Sequence, residues 1–456
     1  MHGIGRARES RFRPWARPTA AALAAAGLLA WPPGQASSAQ AAPGGSPSIA
    51  YVANVGSGLV SVIDSTTGRA TATIPLPADS APNLVALSPS GSTAYVVKSG
   101  SGAVSVIHTT TNKVIATIPL PGNREPTAIA VTPSGTTAYV VDSLSGTVSV
   151  MSTTTGKVST ITLPGGNGEP VGVAVTPNGA TAYVTNIGAS TVSVINTATS
   201  KVTATIPLPA DSYPEFIAVT PSGATAYVTN SDASTVSVIH TATNKVTANI
   251  SLPYESEPFG IAVTPDGATA YVTDFYDDTV LVISTATNAV TATIPVGMQP
   301  YDVAVTPDGA IAYVTNVNSN TVSVISTATN TVTATIPVGP NPEDVAVTPD
   351  QAPVARLAVT AAPARHATAF SAAGSTVEYG IIASYRWTFG DGTSRTTTTP
   401  RVAHAYAKPG CYIVTLTETS SGGTSTTRVY TGQTVSRNGG PQARATITIT
   451  IKPASS

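Results

Sequence analysis

Short apolar runs alternate with polar turn residues from about residue 49 to residue 350. One representative stretch holds four β-branched runs, at 182–185, 191–195, 201–206 and 216–219. Gly, Pro, Asn, Asp and Ser separate the runs, and no apolar pattern recurs at helical spacing. The pattern therefore predicts four β-strands in each unit and no helix.

This unit occurs seven times, and an Ala-Tyr-Val triplet marks each copy. The spacing between successive triplets is 44 residues five times and then 42. Four strands in a period of about 40–45 residues are the signature of a propeller blade. The tyrosines of the seven triplets are Tyr51, Tyr95, Tyr139, Tyr183, Tyr227, Tyr271 and Tyr313.

The phase of the repeat predicts how the two ends meet. The chain enters at an Ala-Tyr-Val strand and leaves at a seventh Val-Ala-Val-Thr-Pro strand, residues 345–349. If the latter type is innermost, one blade takes its inner strand from 343–350 and its other three strands from 49–75. Such closure removes an open sheet edge, whereas a linear solenoid needs polar caps that this sequence lacks. We therefore expect a closed seven-bladed β-propeller over residues 42–350.

The units resemble the YVTN family of β-propeller repeats, which is known from bacterial and archaeal surface and secreted proteins. Tyr-Val-Thr-Asn at 183–186, 227–230 and 313–316 carries the resemblance, together with ATNxVTATIPVG at 286–297 and 328–339. The resemblance implies a surface or secreted binding role and transfers no catalytic residue.

A different composition begins at residue 351. Residues 381–416 resemble a PKD domain, an immunoglobulin-like β-sandwich of extracellular proteins, through Trp387, the Phe-Gly-Asp-Gly motif at 389–392, and Tyr406. Thr388 replaces a more usual Asp, which weakens any expectation of calcium binding there. The fold class is thus predicted to be all-β, a seven-bladed β-propeller followed by an immunoglobulin-like (PKD) β-sandwich at 351–456. The resemblance implies a spacer or adhesive module.

The alternation in 411–416 predicts that Val414 and Leu416 enter the sandwich core and that Cys411 points away from it. Cys411 is the single cysteine, so a disulfide framework and a cysteine-based zinc site are excluded. An inert thiol is the favoured interpretation of Cys411, and an intermolecular disulfide is the alternative.

Residues 1–41 have the features of a signal peptide. Five arginines precede an apolar stretch at 19–31, and Ala39-Gln40-Ala41 offers small residues for cleavage. The apolar stretch is shorter than the roughly 20 residues that span a bilayer, and no later segment is long enough. The mature protein is expected to be secreted, with cell-surface association as an option.

Charge differs between the two predicted domains. Residues 42–350 contain 7 Lys and Arg against 19 Asp and Glu, whereas 351–456 contain 10 against 3. An acidic propeller argues against a nucleic-acid partner, because phosphate contacts need clustered basic residues.

Two of the four connections in each unit barely vary in sequence, while the other two vary freely and lie on one face of a propeller. A ligand-facing surface shows such variation, and so do unselected loops. A proline opens each inner strand on this face, and the second residue after it is expected nearest the channel mouth. Those residues are Leu84, Ala128, Gly172, Phe216, Gly260, Asp302 and Asp344.

Asp302 and Asp344 fall in adjacent blades, with Glu215, Glu343 and Tyr301 one residue away around the ring. Paired carboxylates suit a hard cation such as calcium, or an acid/base pair. A solvated acidic rim is the favoured interpretation, and no other cofactor is expected.

An aromatic and acidic group interrupts the small polar residues of the same face. Phe275, Tyr276, Asp277 and Asp278 follow one another, and Tyr213, Tyr254 and Tyr301 lie in neighbouring loops. Together they form a candidate platform for sugars, peptide or a basic partner.

Histidine is confined to one repeat position of the propeller. His108 and His240 stand where other units have Asp, Ser or Asn, at the start of an invariant turn. A turn role is therefore expected, and a lyase that needs a catalytic histidine fits poorly.

The leading hypothesis is a non-enzymatic binding or cell-surface interaction protein, whose partner is a cell-envelope glycan or protein. The alternative is a metal-dependent hydrolase or lyase with a lactonase-like scaffold, which would use Asp302, Asp344 and Glu343. A purely structural envelope component is the third hypothesis.

Overall fold

The computed structural model describes residues 48–77, 79–122, 125–165, 168–378, 381–430 and 435–454. The predicted signal peptide lies outside these residues. Within them, seven four-stranded antiparallel sheets repeat along residues 49–347, and three further sheets follow. The predicted all-β class is confirmed.

Each sheet is one blade, and strands run from the centre outward in chain order. Blade 1 has β1 (Ile49–Asn54), β2 (Leu59–Asp64) and β3 (Arg69–Pro75); blade 2 has β4 (Pro82–Leu87), β5 (Thr93–Lys98), β6 (Ala103–His108) and β7 (Lys113–Pro119); blade 3 has β8 (Pro126–Val131), β9 (Thr137–Asp142), β10 (Thr147–Ser152) and β11 (Val158–Thr162). Blade 4 has β12 (Pro170–Val175), β13 (Thr181–Asn186), β14 (Thr191–Asn196) and β15 (Lys201–Pro207); blade 5 has β16 (Pro214–Val219), β17 (Thr225–Asn230), β18 (Thr235–His240) and β19 (Lys245–Ser251). Blade 6 has β20 (Pro258–Val263), β21 (Thr269–Asp274), β22 (Thr279–Ser284) and β23 (Ala289–Pro295); blade 7 has β24 (Pro300–Val305), β25 (Ile311–Asn316), β26 (Thr321–Ser326) and β27 (Thr331–Pro337); and β28 (Pro342–Val347) completes blade 1.

The ring closes through both parts of the chain, as the repeat phase predicted. Strand β28 pairs antiparallel with β1, with Val345 opposite Val52, and the sheet order of blade 1 is β28-β1-β2-β3. The N-terminal and C-terminal parts of the repeat therefore form one sheet.

Two faces of the ring follow from the connections. The variable face carries the loops between the second and third strand of a blade and those leading to the next blade. The turn face carries the other two connections, which barely vary. Tyr183 donates its hydroxyl to Asn244 Oδ1 of the next blade at 2.9 Å, and Tyr271 does the same to Asn330 at 2.8 Å. The invariant turns therefore fasten neighbouring blades together.

The threonine of the Tyr-Val-Thr-Asn motif joins neighbouring inner strands. Thr185 Oγ1 accepts the backbone N–H of Gly172 at 2.8 Å and donates to the carbonyl of Glu215 at 2.6 Å. A Cβ on Gly172 would lie 2.6 Å from that same carbonyl oxygen, so a side chain at this position would require β12 and β16 to shift apart. The motif is thus a structural device between blades.

The C-terminal part contains two sheets that face each other. One holds β30 (Ala358–Thr360), β31 (Ala367–Ser371) and β34 (Arg401–Ala405); the other holds β32 (Ile382–Thr388), β33 (Ser394–Thr397), β35 (Gly410–Ser420) and β38 (Arg444–Ile451). Trp387, Phe370 and Leu416 are buried in one cluster. Val414 is also buried and Cys411 is exposed, as the alternation predicted.

A third small sheet touches the propeller. It consists of β29 (Asp350–Gln351), β36 (Val429–Tyr430) and β37 (Val435–Asn438). Side chains of this region donate hydrogen bonds to proline carbonyls on the turn face, from Gln351 to Pro89 and from Arg437 to Pro307 at 2.8 Å. Arg428 donates to the carbonyl of a third such proline. The described contacts of this sheet with the propeller thus lie opposite the variable face.

Two short 3-10 helices, Ser143–Ser145 and Pro441–Ala443, accompany the strands. Within the described ranges, no helix has the length and apolar character needed to cross a membrane.

Candidate functional site

The two aspartates expected at the channel mouth lie inside the ring. Asp302 and Asp344 stand near the start of β24 and β28, and their exposed fractions are only 1% and 2%. Leu84, Ala128 and Phe216, at the same position of other blades, are buried as well. A solvated acidic rim therefore does not describe this pair, because the inner strands pack their side chains against one another.

Both carboxyl groups accept backbone hydrogen bonds from the next inner strand. Asp344 Oδ2 accepts from Val85 N of β4 at 2.6 Å, and Asp302 Oδ2 accepts from Val345 N of β28 at 3.4 Å. The two carboxyls also lie close enough for each to shift the pKa of the other. The pair thus spans the inner strands of blades 7, 1 and 2, where the ring closes.

Burial sets the protonation of the pair. It raises the pKa of Asp302 to about 6. Burial also raises the pKa of Asp344 well above its ordinary value, and the neighbouring charge of Asp302 raises it further. Two carboxyl groups in contact cannot both ionise in a buried place, so they hold a proton between them.

The pair does not suit calcium. Calcium takes about six to eight oxygen ligands, whereas the pair has four carboxyl oxygens, and one on each aspartate already accepts a backbone N–H. Glu343 is the nearest additional carboxylate that raises the pKa of Asp344, and it is half-buried. No group of three or more His, Cys, Asp or Glu side chains in the described residues is arranged to hold a metal ion.

A buried aromatic cluster lies beside the aspartates, on blades 5, 6 and 7. The ring centroid of Tyr301 is 5.9 Å from Phe216 and 5.1 Å from Phe259, and that of Phe275 is 5.1 Å from Phe259. Phe275 and Tyr301 were expected on a surface platform, but both are buried because Phe259 and Phe216 pack against them. The sequence analysis did not identify Phe259 as a member of this cluster, although its position in an inner strand indicated that it would face other inner strands.

Three other members of the predicted platform are exposed. Tyr254 is 79% exposed, Tyr276 is 68% exposed and Tyr213 is 36% exposed. They lie in the β19–β20, β21–β22 and β15–β16 connections, so neighbouring blades 5 and 6 present them. Met298, in the β23–β24 connection, is also exposed. These loops form the aromatic part of the variable face.

The acidic members of the platform have different surroundings. Asp277 is exposed, whereas Asp278 is half-buried and accepts a hydrogen bond from Gln299 N at 2.8 Å. Glu215 is buried and accepts from Ser231 Oγ at 3.3 Å. Asp278 and Glu215 therefore hold loops in place, and Asp277 is available to solvent.

Glu257 is a carboxylate of the variable face that the sequence reasoning missed. Burial, together with the neighbouring charges of Asp232 and Asp274, raises its pKa to about 7. Burial also raises the pKa of Asp232, and the neighbouring charge of Asp211 contributes to the same rise. These loops therefore bring several carboxylates together, although they stand in separate loops of the sequence.

The two propeller histidines lie where the sequence predicted, at the turn face. Thr111 Oγ1 lies 3.3 Å from His108 Nδ1, and Thr243 Oγ1 lies 3.1 Å from His240 Nδ1. Each histidine thus belongs to the turn after the third strand. The loops of the variable face contain no histidine at all.

Solved structures share the propeller fold. A catalytically inactive histidine-to-alanine variant of virginiamycin B lyase from Staphylococcus aureus, solved with quinupristin, matches with a TM-score of 0.52 and 17% identity, over 65% of this chain and 93% of that one. A proposed 6-phosphogluconolactonase from Bacteroides fragilis matches with a TM-score of 0.57 and 17% identity, over 68% and 99%. Hydrazine synthase from Kuenenia stuttgartiensis matches with a TM-score of 0.52 and 23% identity, over 58% and 88%. At these identities the likeness concerns the fold alone.

Family models assign the two parts of the chain. No curated protein sequence matches the chain significantly. A PKD domain model matches residues 350–435, which confirms the expected PKD domain, a module typical of extracellular proteins. A model of the virginiamycin B lyase family matches residues 69–362, which is more than half of the chain and most of the ring. The chain therefore belongs to the virginiamycin B lyase family and combines its β-propeller with a PKD domain.

Proposed function

We propose that this protein is a secreted or cell-surface binding protein that recognises its partner through the variable face without catalysing a reaction. Residues 42–350 would form the recognition domain, and the PKD domain would act as a spacer or adhesive module. The observation that carries the proposal is the composition of the variable face, which presents exposed tyrosines and carboxylates and has no histidine.

Histidine separates this chain from the lyase of the same family. The Staphylococcus aureus enzyme is described as catalytically inactive when a histidine is replaced by alanine. Here both propeller histidines belong to turns on the opposite face, about the thickness of a blade away from the variable loops. A strand of six residues is about 20 Å long, so neither imidazole reaches a ligand held by those loops.

Two of the three carboxylates proposed for an enzymatic alternative are poorly placed for catalysis. A general base must lie within hydrogen-bond reach of a substrate proton. Asp302 and Asp344 are buried, and each accepts a hydrogen bond from a backbone N–H. Substrate access to them would require the inner strands to separate. This arrangement favours a structural role for the pair and recognition by the loops outside it.

The test compares recognition with turnover. Mature protein, residues 42–456, is applied to arrays of cell-wall glycans and peptides, and the same preparation is incubated with quinupristin while chromatography follows the substrate. We expect binding to at least one array component and unchanged quinupristin. The triple variant Tyr213→Ser/Tyr254→Ser/Tyr276→Ser should lose the binding, whereas Ile115→Ser, which removes an exposed apolar side chain from outer strand β7, should keep it.

Two results would overturn the proposal. Consumption of quinupristin, or of another substrate in the same assay, would show that the protein is an enzyme. Binding that survives in the triple tyrosine variant would move recognition away from this face.

A further inference from the structure

The exposed aromatic side chains concentrate on one sector of the variable face. Tyr213, Tyr254 and Tyr276 come from three loops of blades 5 and 6, and Met298 follows in the next connection. We name these loops, residues 209–213, 253–257, 275–278 and 296–299, the aromatic sector. Exposed apolar groups that cluster in this way mark interaction surfaces, because scattered single residues need no explanation.

The same loops and the adjacent strand ends are acidic. Asp211, Glu255 and Asp277 are exposed within the sector, and Asp232 is exposed beside it. The carboxylates interact repulsively: the charge of Asp211 adds to the raised pKa of Asp232, and the charge of Asp232 adds to that of Glu257. Their proximity therefore leaves an uncompensated negative potential around the tyrosines.

The described residues of the variable face provide no exposed basic side chain to neutralise this potential. Across the described part of the variable face, Lys98 is the sole lysine or arginine, and it is buried at the end of β5 in blade 2. The propeller's other described basic residues, such as Lys201 and Lys245, stand at the turns of the opposite face. The described basic residues of the ring thus lie mainly on the turn face, and the sector offers negative charge to a partner.

The arrangement of the carboxylates decides between a metal ion and a larger cation. A metal ion needs ligands that converge on one point. In the described residues no three such side chains are arranged to hold one. Carboxylates spread over several loops instead match several separate positive charges. Lysine ammonium and arginine guanidinium groups bind both to carboxylates and to the faces of tyrosine rings.

We propose that the aromatic sector binds an extended basic polypeptide segment, with lysine or arginine side chains against the tyrosine rings and beside the carboxylates. The proposal rests on the recognition role of the variable face and names the class of partner. Positive charges along such a segment would meet carboxylates that come from different loops, since Asp211, Glu255 and Asp277 lie in three separate connections. Neutral glycans would donate hydroxyl hydrogen bonds to these carboxylates but would leave their negative charges uncompensated.

The experiment uses mature protein and a fluorescein-labelled oligolysine peptide, with oligoglutamate as the negative probe, and fluorescence anisotropy as the readout. The variant Asp211→Asn/Glu255→Gln/Asp277→Asn removes three charges from the sector. Exposed ion pairs are individually weak, so the three changes together should weaken oligolysine binding about tenfold. The separate variant Tyr213→Ser/Tyr254→Ser/Tyr276→Ser should weaken it at constant charge.

A control variant removes three charges elsewhere. Asp64→Asn and Asp308→Asn change turn-face positions at which another blade already has asparagine, namely Asn196 and Asn178. The third change, Glu378→Gln, lies in the PKD part. We expect this variant to bind oligolysine like the unchanged protein. Binding should also weaken as NaCl rises from about 50 to about 500 mM, because salt screens exposed charges.

Each outcome decides the proposal. Absence of oligolysine binding, or equal weakening by the sector and control variants, would overturn it. If calcium chloride displaced the peptide more strongly than sodium chloride at equal ionic strength, the sector would be a metal-ion site, and this result would also overturn the proposal. A neutral or anionic array ligand whose binding requires the three tyrosines would contradict the basic partner and leave the recognition role intact.

Discussion

Replacement of Asp344 by asparagine perturbs the proton shared by the two buried carboxyl groups at the ring seam. Asparagine keeps an acceptor oxygen for the N–H of Val85, which now binds Asp344 at 2.6 Å. Its amide nitrogen can donate a hydrogen bond to Asp302, as the protonated carboxyl group of Asp344 can. The variant Asp344→Asn therefore imitates the protonated pair at every pH.

The magnitude follows from the raised pKa of Asp302. Burial moves this pKa from 3.8 to about 6. Each pKa unit corresponds to about 1.4 kcal/mol, so the group changes the free energy of unfolding by about 3 kcal/mol. Asp344 adds to this change in the same direction, because burial and the charge of Asp302 raise its pKa as well.

The sign is opposite to that of a salt-bridged carboxylate. Below about pH 4 both states hold the proton, and the stabilisation is fully present. Between about pH 4 and about pH 6 the unfolded chain has released the proton that folded Asp302 still holds, so stability falls as pH rises. The higher pKa of Asp344 extends the fall above pH 6.

We expect Asp344→Asn to match the unchanged protein at pH 4 and to exceed it in stability and melting temperature at pH 8, because the variant removes the fall in stability that the raised pKa of Asp344 causes. The fall of about 3 kcal/mol that comes from Asp302 remains in both proteins. Far-UV circular dichroism during heating reports the propeller. Trp387, the single tryptophan after residue 41, reports the PKD domain separately. Asp308→Asn, at a half-buried position of the turn face where another blade has Asn178, should leave the pH profile unchanged.

The reasoning fails if Asp344→Asn is less stable than the unchanged protein at pH 8, or if both lose stability equally between pH 4 and pH 8. Asp344→Ala separates the proton from the hydrogen bond. It leaves the N–H of Val85 unpaired, which costs about 1–3 kcal/mol at every pH.

Three further predictions concern single contacts. Lys98→Asn should raise the free energy of unfolding by about 1–2 kcal/mol, measured by denaturant unfolding, because burial disfavours the lysine charge. The new asparagine would also donate to the buried hydroxyl of Ser105, which has no hydrogen-bond partner among the described residues, as Asn186 donates to Ser193 in blade 4. Tyr183→Phe should cost about 1 kcal/mol through its lost bond to Asn244, and a double-mutant cycle between the two residues should show coupling. Arg437→Ala should loosen the PKD domain from the turn face, which calorimetry would detect as better separated transitions.

Matched variants accompany these three predictions. Lys113→Asn changes an exposed lysine and should leave stability within about 0.5 kcal/mol. Additive effects in the Tyr183 and Asn244 cycle would contradict the interblade bond. Arg395→Ala, at an exposed position of the PKD domain, should not alter the separation of the transitions; an equal change from both arginine variants would contradict the docking contact.

The sequence determined the architecture because the repeat is self-consistent. Seven copies of a four-strand pattern specify seven blades, and their phase specifies that β28 joins β1. Alternation with a period of two determined the inward and outward residues of β35, including the exposed Cys411. These features depend on local order along the chain, which a single sequence contains in full.

Only the tertiary structure decided the burial of Asp302, Tyr301 and Phe275 and the neighbours of Glu257. Residues of other loops and blades cover these side chains or place their charges beside them. The sequence pattern predicts where a strand ends but does not specify which side chains pack over that end. The docking of Arg437 on Pro307 is likewise a contact between residues 130 positions apart. Strand periodicity records which face a residue takes, whereas burial and pKa depend on distances between separate elements, and folding sets those distances.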